Sequence, residues 1–197
     1  MRIAAFQPLS LNEYPGHLSS IIFTQGCNFD CGYCHNPELK SKTFVPYSCR
    51  KKLLTAESIM DNLNKMKDKM EATALTGGEP LIQEGLIDFM KKIKHMGYRI
   101  KLNTNGSVYK VLKDIVDKGL VDFINMDIKA TRRKYRRTIG VTPFKIDEIE
   151  NSISLIRNCG VDYVFSMVHH DGLNDTDVEE VRDWVGDNNF ELRENLI

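Results

Sequence analysis

Short apolar runs alternate with amphipathic stretches along the whole chain, and no linker, low-complexity tract or repeat interrupts the alternation. The runs at 20–24, 72–76, 98–104, 123–128 and 163–168 are short and rich in β-branched or aromatic residues, which predicts strands. Helices are predicted between them. In 56–69 the residues Ile59, Leu63 and Met66 recur at helical spacing, in 84–96 Ile87, Met90 and Ile93, and in 108–118 Leu112, Ile115 and Val116. Stretches 146–158 and 175–185 complete the set. Gly97, Gly119 and Gly160 each separate a helical pattern from the next strand pattern, where a left-handed residue ends a helix. The pattern predicts a single domain over 1–197, with 1–18 as an N-terminal extension.

Strand followed by helix, five times in succession, implies parallel strands joined by right-handed crossovers and covered by helices. The fold class is α/β. Five or six units are too few for a closed eight-fold barrel, which leaves a partial, open (β/α)5–6 barrel or a doubly wound sheet. Both architectures place chemistry at the C-terminal ends of the strands, so polar and glycine-rich clusters should follow the strands. They do. The first strand runs into a loop at 25–37, the second into Gly77-Gly78-Glu79-Pro80, and the third ends in Asn103-Thr104-Asn105-Gly106. The fourth carries Asp127 and Lys129, and the fifth leads into His169 and His170.

Composition narrows the classes. The chain has 197 residues with 27 Lys and Arg against 27 Asp and Glu, so no global charge favours nucleic-acid binding. No apolar run reaches the ~18–20 residues of a membrane span, and no signal-type segment follows Met1. A cytoplasmic protein with no nucleic-acid or membrane partner is expected. The five cysteines are an odd count in a chain read this way, which points to metal or redox chemistry and away from a disulfide framework.

Three of those thiols, Cys27, Cys31 and Cys34, lie within eight residues in a Cys-x3-Cys-x2-Cys loop. Such a loop can wrap three thiolates around one soft metal centre, and Gly26 and Gly32 let its backbone turn tightly. If the centre is a four-iron, four-sulfur cluster, three ligands leave one iron open. The alternatives are a zinc site completed by His35 and a loop of ordinary thiols; adjacent Cys34 and His35 are a poor fit to zinc-ligand spacing. Cys49 and Cys159 have no neighbours for a second cluster and read as buried, apolar-behaving thiols.

With aromatic Tyr33 directly before Cys34, this loop resembles the signature of the radical S-adenosylmethionine (SAM) superfamily. The wider stretches 8–16 and 23–39 are similar to the activating proteins of anaerobic ribonucleoside-triphosphate reductase, relatives of the pyruvate formate-lyase activating enzyme, and the resemblance extends over about 6–172. It implies a partial, open barrel in which SAM chelates the open iron of a 4Fe-4S cluster held by Cys27, Cys31 and Cys34. Reductive cleavage then gives methionine and a 5′-deoxyadenosyl radical, which abstracts a Cα hydrogen from a glycine of the partner reductase. An electron donor such as flavodoxin or ferredoxin is implied as a second partner. The resemblance assigns Tyr33, Gly77, Gly78, Glu79, Asn103, Asp127 and Lys129 to the cofactor: Glu79 accepts from the SAM ammonium, Gly77 and Gly78 allow close backbone approach, and the Tyr33 carbonyl meets the adenine amine. Asp127 and Lys129 match an Asp-x-Lys pair, and alternation along a strand would set them on one face. A bare core without an auxiliary cluster fits an activase that admits a peptide loop. The other readings are a radical SAM enzyme acting on a small molecule, as in a deazapurine-type pathway, and a non-catalytic iron–sulfur or zinc interaction module.

Some residues depart from the related pattern. Asn103 stands where activating enzymes often carry Asp, so it can hydrogen-bond but adds no charge. Ser166 and Met167 replace an arginine-bearing stretch, and His169 and His170 replace a Val-Pro-Gly-like turn and read as a solvated pair. Residues 129–137 hold six basic side chains among nine, either a docking patch for an acidic partner or a solvated helix face. Whether 186–197 adds a sixth strand is left open by the pattern.

Overall fold

The structure is a computed structural model that describes residues 1–41, 54–186 and 189–194. Its centre is one seven-stranded sheet in which the strands lie in chain order, β1(Ile3–Tyr14), β2(His17–Thr24), β3(Ala72–Gly77), β4(Arg99–Thr104), β5(Phe123–Asp127), β6(Asp162–His169) and β7(Phe190–Glu194). From β2 to β7 every pairing is parallel. Strands in chain order with parallel pairing need a crossover at each step, as the alternating pattern implied. The crossovers contain the helices α1(Ala56–Met66), α2(Leu86–His95), α3(Tyr109–Asp117), α4(Arg132–Ile139), α5(Ile146–Asn158) and α6(Asp175–Val185).

Each central strand is buried on both faces in its middle, as parallel strands under helices must be. The outer face packs on helical stripes: Ile59 and Leu63 of α1, Phe89, Met90 and Ile93 of α2, Leu112 and Ile115 of α3, and Ile149, Ile153 and Ile156 of α5. Gly97, Gly119 and Gly160 have φ of 89°, 62° and 73°, the left-handed region expected of them. On the inner side, Glu13 of β1 and Arg193 of β7 line one cavity together with Asn103 and Asn125 of the middle strands. The sheet therefore curls until its two edges face a common lumen. β1 and β7 remain unpaired with each other, so the barrel is open.

Two elements differ from the sequence expectation. Residues 1–18 are no mere extension: β1 forms an antiparallel hairpin with β2 and supplies one edge of the sheet. Its pairing is broken by three register irregularities, which hide the strand period. The basic stretch 129–137 runs into α4, which buries Tyr135 and Ile139, one turn apart, so it is only in part a solvated face. β7 answers the question left at 186–197, adding a sixth parallel strand. Cys49 lies outside the described residues. Cys159 is half-buried at the end of α5, where its thiol donates to the Ile156 carbonyl at 3.3 Å.

α6 is fixed by a capping box: Asn174 accepts from the Asp177 backbone N–H at 3.0 Å, and Asp177 accepts from the Asn174 backbone N–H at 2.9 Å. Asp177 also pairs with Lys134 at 2.6 Å and Arg133 at 3.0 Å, tying α6 to α4. The Lys134 hydrogen bond, ahead of the opposing effect of burial, holds the Asp177 carboxyl below its usual range. Its stabilising contribution is complete above the unfolded carboxylate pKa of ~4 and is lost as pH falls through the lower folded value. We expect Asp177→Ala to cost about 1–2 kcal/mol at neutral pH. Chemical denaturation at pH 7 and pH 3 should show a smaller difference from wild type in acid.

Candidate active site

A single cleft at the C-terminal rim of the sheet is lined by Cys27, Tyr33, Cys31 and Cys34 from the loop after β2, and by Gly77, Gly78 and Glu79 after β3. Asn103 at the end of β4 and Asp127 and Lys129 at the end of β5 complete the wall. All ten residues singled out in the sequence thus meet at one place.

The cysteine loop has little regular structure and is held by its neighbours. Gly26 N–H donates to the Leu39 carbonyl at 2.8 Å, Cys27 N–H to Lys40 O at 3.0 Å, and Asp30 N–H to Ile139 O at 2.8 Å. Lys40 returns an ion pair to Asp30 at 2.5 Å. Phe29, between the first two cysteines, is buried against Tyr135 and Phe144, with ring centroids 6.5 and 6.0 Å away. An aromatic residue inside an otherwise polar loop was the available signal for this anchor. Asn28 links the loop to the next rim segment, donating to Ser107 Oγ at 2.7 Å and accepting from Asn105 Nδ2 at 3.0 Å.

The segment after β3 is pressed against this loop. Gly78 N–H donates to Thr24 O at 3.0 Å and Glu79 N–H to Gly26 O at 2.8 Å. A Cβ on Gly78 would fall 2.1 Å from the Gly26 carbonyl oxygen, so only glycine fits there. The Glu79 carboxylate is buried and serves as a knot: Oε1 accepts from Leu81 N–H at 3.0 Å and Thr104 Oγ1 at 2.6 Å, and Oε2 from Asn105 N–H at 2.8 Å. Burial pushes its pKa up to about 7 against these donors, which favour the anion. Glu79 therefore ties the ends of β3 and β4 together, a task the motif alone did not reveal.

Asp127 Oδ1 accepts from Ser166 Oγ at 2.6 Å, and its Oδ2 faces the Lys129 ammonium at 3.3 Å. β5 ends at Asp127, but Ile128 N–H still donates to Ser166 O at 2.7 Å and Ile128 is buried between the half-buried Asp127 and Lys129, so alternation sets the pair on one side. Burial disfavours the ionised Asp127, but Lys129 and Ser166 outweigh it and hold the carboxyl below its usual range. For Lys129 burial opposes the charge, yet Asp127, Tyr33 and Cys31 together keep the ammonium protonated. Ser166 thus fixes Asp127. Asn103 donates to Glu13 Oε1 at 2.7 Å, which fixes its amide orientation and leaves Oδ1 buried with no hydrogen-bond partner among the described residues.

His170 is half-buried and held against the cleft, not a free surface group. Its ring stacks on Tyr33 with centroids 3.9 Å apart and planes 15° apart, while Tyr33 Oη donates to the Lys129 carbonyl at 3.3 Å. The contact joins the loop after β6 to the cysteine loop, a pairing that no local pattern announces. Much of the basic stretch is spent internally: Arg132 pairs with Glu150 at 2.7 Å and lies over Trp184, Arg133 with Asp177 and Glu180, and Lys134 with Asp177. As a docking patch it is thereby weakened.

The thiols state what they need. Burial pushes Cys27 up to about 12, with Glu79 adding to the effect, and raises Cys31 as well. Three thiolates at this spot require a strongly positive centre among them. Three thiols on one loop are the donor set of a soft, thiolate-bound centre such as an iron–sulfur cluster.

A family model for the radical SAM superfamily matches residues 21–185. The chain belongs to the radical SAM superfamily. The cofactors of this family are a 4Fe-4S cluster and SAM. Radical SAM relatives include a Methanocaldococcus jannaschii protein named a glycyl-radical enzyme activating enzyme, 28% identical over 83% of this chain and 65% of that protein. The pyruvate formate-lyase-activating enzyme of Clostridium pasteurianum is 32% identical over 65% of the chain and 52% of its own length. A protein of Pyrococcus horikoshii named a GTP 3′,8-cyclase is 25% identical over 88% of the chain and 53% of its own. The chain thus spans about half to two thirds of the length of these relatives. Among solved radical SAM structures, Streptococcus suis SuiB bound to SAM superposes with a TM-score of 0.68 at 13% identity, covering 88% of this chain and 39% of that one. Among the described residues no helix is long and apolar enough to cross a membrane.

Proposed function

We propose that this chain is a glycyl-radical-enzyme activase, acting on a backbone glycine of an anaerobic ribonucleoside-triphosphate reductase. The observation that carries the site is the cleft itself, in which the three thiols and the seven other predicted residues share one wall. When bound there, the cluster and SAM supply the reductive cleavage that makes a hydrogen-abstracting radical. Cys27, Cys31 and Cys34 would hold the cluster, with Lys129 placing fixed positive charge near Cys31. Gly77 and Gly78 let the segment after β3 press against the backbone of β2 and the cysteine loop, which sets the wall a ligand would meet. Asp127 and Lys129 present opposite charges to a zwitterionic amino-acid end, and Asn103 Oδ1 offers an unused acceptor to an amine or hydroxyl. The Tyr33 ring, held by His170, walls the cleft and keeps water from the reacting centre. Glu79 acts through the backbone it ties. The electron would come from a flavodoxin- or ferredoxin-type donor.

The likeness to proteins named GTP 3′,8-cyclases favours a second reading, chemistry on a small molecule. One experiment separates them. Anaerobic reconstitution with iron and sulfide, followed by dithionite and SAM, should give a brown protein that releases 5′-deoxyadenosine. Co-incubated reductase should then acquire a glycyl-type paramagnetic signal. A colourless, zinc-loaded protein that leaves SAM intact rejects the activase, and SAM cleavage with no protein radical moves the assignment to a small-molecule substrate.

A further inference from the structure

Asn28 and Phe29 of the cysteine loop also line a second groove, completed by the start of α3 and the segment that joins α4 to α5. Among the described residues, Phe29 alone lines both this groove and the cofactor cleft. Its buried ring packs on Phe144 of the groove, with centroids 6.0 Å apart. A single aromatic side chain therefore stands between the groove and the thiols of Cys27 and Cys31.

The groove has an apolar floor and a cationic rim. Val108, Val141 and Phe144 are half-buried in it, while Lys110 and Lys145 are exposed at its edge with no ion-pair partner among the described residues. Arg136 joins them by donating to Thr142 Oγ1 at 3.2 Å, and it too meets no acid among the described residues. It is one of the basic side chains of 129–137 that α6 does not consume. The acid in the lining is Glu148, whose Oε2 is engaged by the Tyr109 backbone N–H at 3.0 Å. Three cations thus stand against one carboxylate around an apolar centre, the anatomy of a protein interface that fits an acidic partner.

The placement also says what such a partner can do. An electron can cross one side chain, whereas an atom to be abstracted must itself enter the cleft. We propose that the groove is the docking surface for an acidic, one-electron redox protein of the ferredoxin or flavodoxin class. The docked donor gives up one electron, the cluster held by Cys27, Cys31 and Cys34 takes it up, and no bond or proton is exchanged. The proposal rests on the functional reading above only for a protein as the electron source, and not on the glycine substrate.

The test uses the full chain with its reconstituted cluster and a plant-type two-iron ferredoxin, an acidic protein, as the probe. At ~50 mM salt, isothermal titration should show wild type binding oxidised ferredoxin, with the affinity falling steeply by ~0.5 M salt. Reversing the rim in Lys110→Glu/Arg136→Glu/Lys145→Glu should raise the Kd roughly tenfold or more. Lys65→Glu/Lys67→Glu/Lys69→Glu makes the same charge change on exposed lysines where the chain turns toward β3, and should bind as wild type does. With reduced ferredoxin as the electron source, 5′-deoxyadenosine release by the rim variant should need correspondingly more ferredoxin, while its rate with dithionite matches wild type. No ferredoxin binding by wild type, binding indifferent to salt, or equal affinity in the two triple variants overturns the assignment. If ferredoxin binds and drives SAM cleavage as expected but the reductase gains no glycyl signal, the activase reading fails and the docking assignment stands.

Discussion

Replacing Cys31 by Ala should give a protein that folds but holds no stable cluster after anaerobic reconstitution, with SAM cleavage reduced to background. Cys31 is the most buried of the three thiols, at 6% exposed, and its carbonyl accepts from Lys40 at 3.2 Å, so the loop around it is fixed by contacts that do not involve sulfur. Two remaining thiolates cannot replace the third ligand, because the loop backbone is tied at Cys27 and Asp30 and cannot bring another donor inward. Iron and sulfide content, the visible absorbance and 5′-deoxyadenosine release should fall together, by two orders of magnitude or more for the last. The thermal transition should stay near that of the cluster-free wild type. A Cys31→Ala protein that still binds iron and cleaves SAM would remove the cysteine loop from the mechanism.

Gly78→Ala is expected to be nearly as damaging although it touches no thiol. Its methyl group would overlap the Gly26 carbonyl oxygen and carbon, at 2.1 and 2.5 Å, and lie 2.9 Å from Leu39 O. All three are backbone, so relief requires the segment after β3 or the start of the cysteine loop to shift. A misplacement of ~1 Å in a positioned site costs about 10²-fold in rate. We expect SAM cleavage per loaded cluster to fall by that order, with SAM binding weakened. Gly32→Ala is the matched control, because a Cβ there meets nothing within 4 Å. Equal effects at positions 78 and 32 would show that packing between the two loops has no part in the chemistry.

The parts of the site that were legible in the sequence are those whose chemistry is carried by residue type and short spacing. Cys27, Cys31 and Cys34 need one another within a single loop, and Gly77-Gly78-Glu79 is contiguous, so both could be read without knowing the fold. Lys129 and Asp127 were also found, because alternation sets residues two apart on one side of an extended chain. The supports were not legible, because each depends on a partner distant in the chain. Ser166 matters through Asp127, His170 through Tyr33, and Glu13 through Asn103 and Lys101. The same holds for the fold. Helices with regular apolar stripes were placed to within a few residues, whereas β1 has its period broken by bulges and contains Pro8, and α4 has a strongly basic sequence with only a short apolar seam. β7 is a short edge strand with an exposed leucine, Leu192, and gives no clear alternation.

The knot at Glu79 has a bearing on loss of the cluster. Leu81, Thr104 and Asn105 close on that carboxylate through nitrogen and oxygen donors alone, and Gly78 and Glu79 grip the strand-end carbonyls of the cysteine loop in the same way. The frame around the cleft therefore does not depend on iron for its shape. A socket framed this way keeps its three thiols in place without the inorganic core, so protein that has lost its cluster should take up iron and sulfide again under anaerobic conditions.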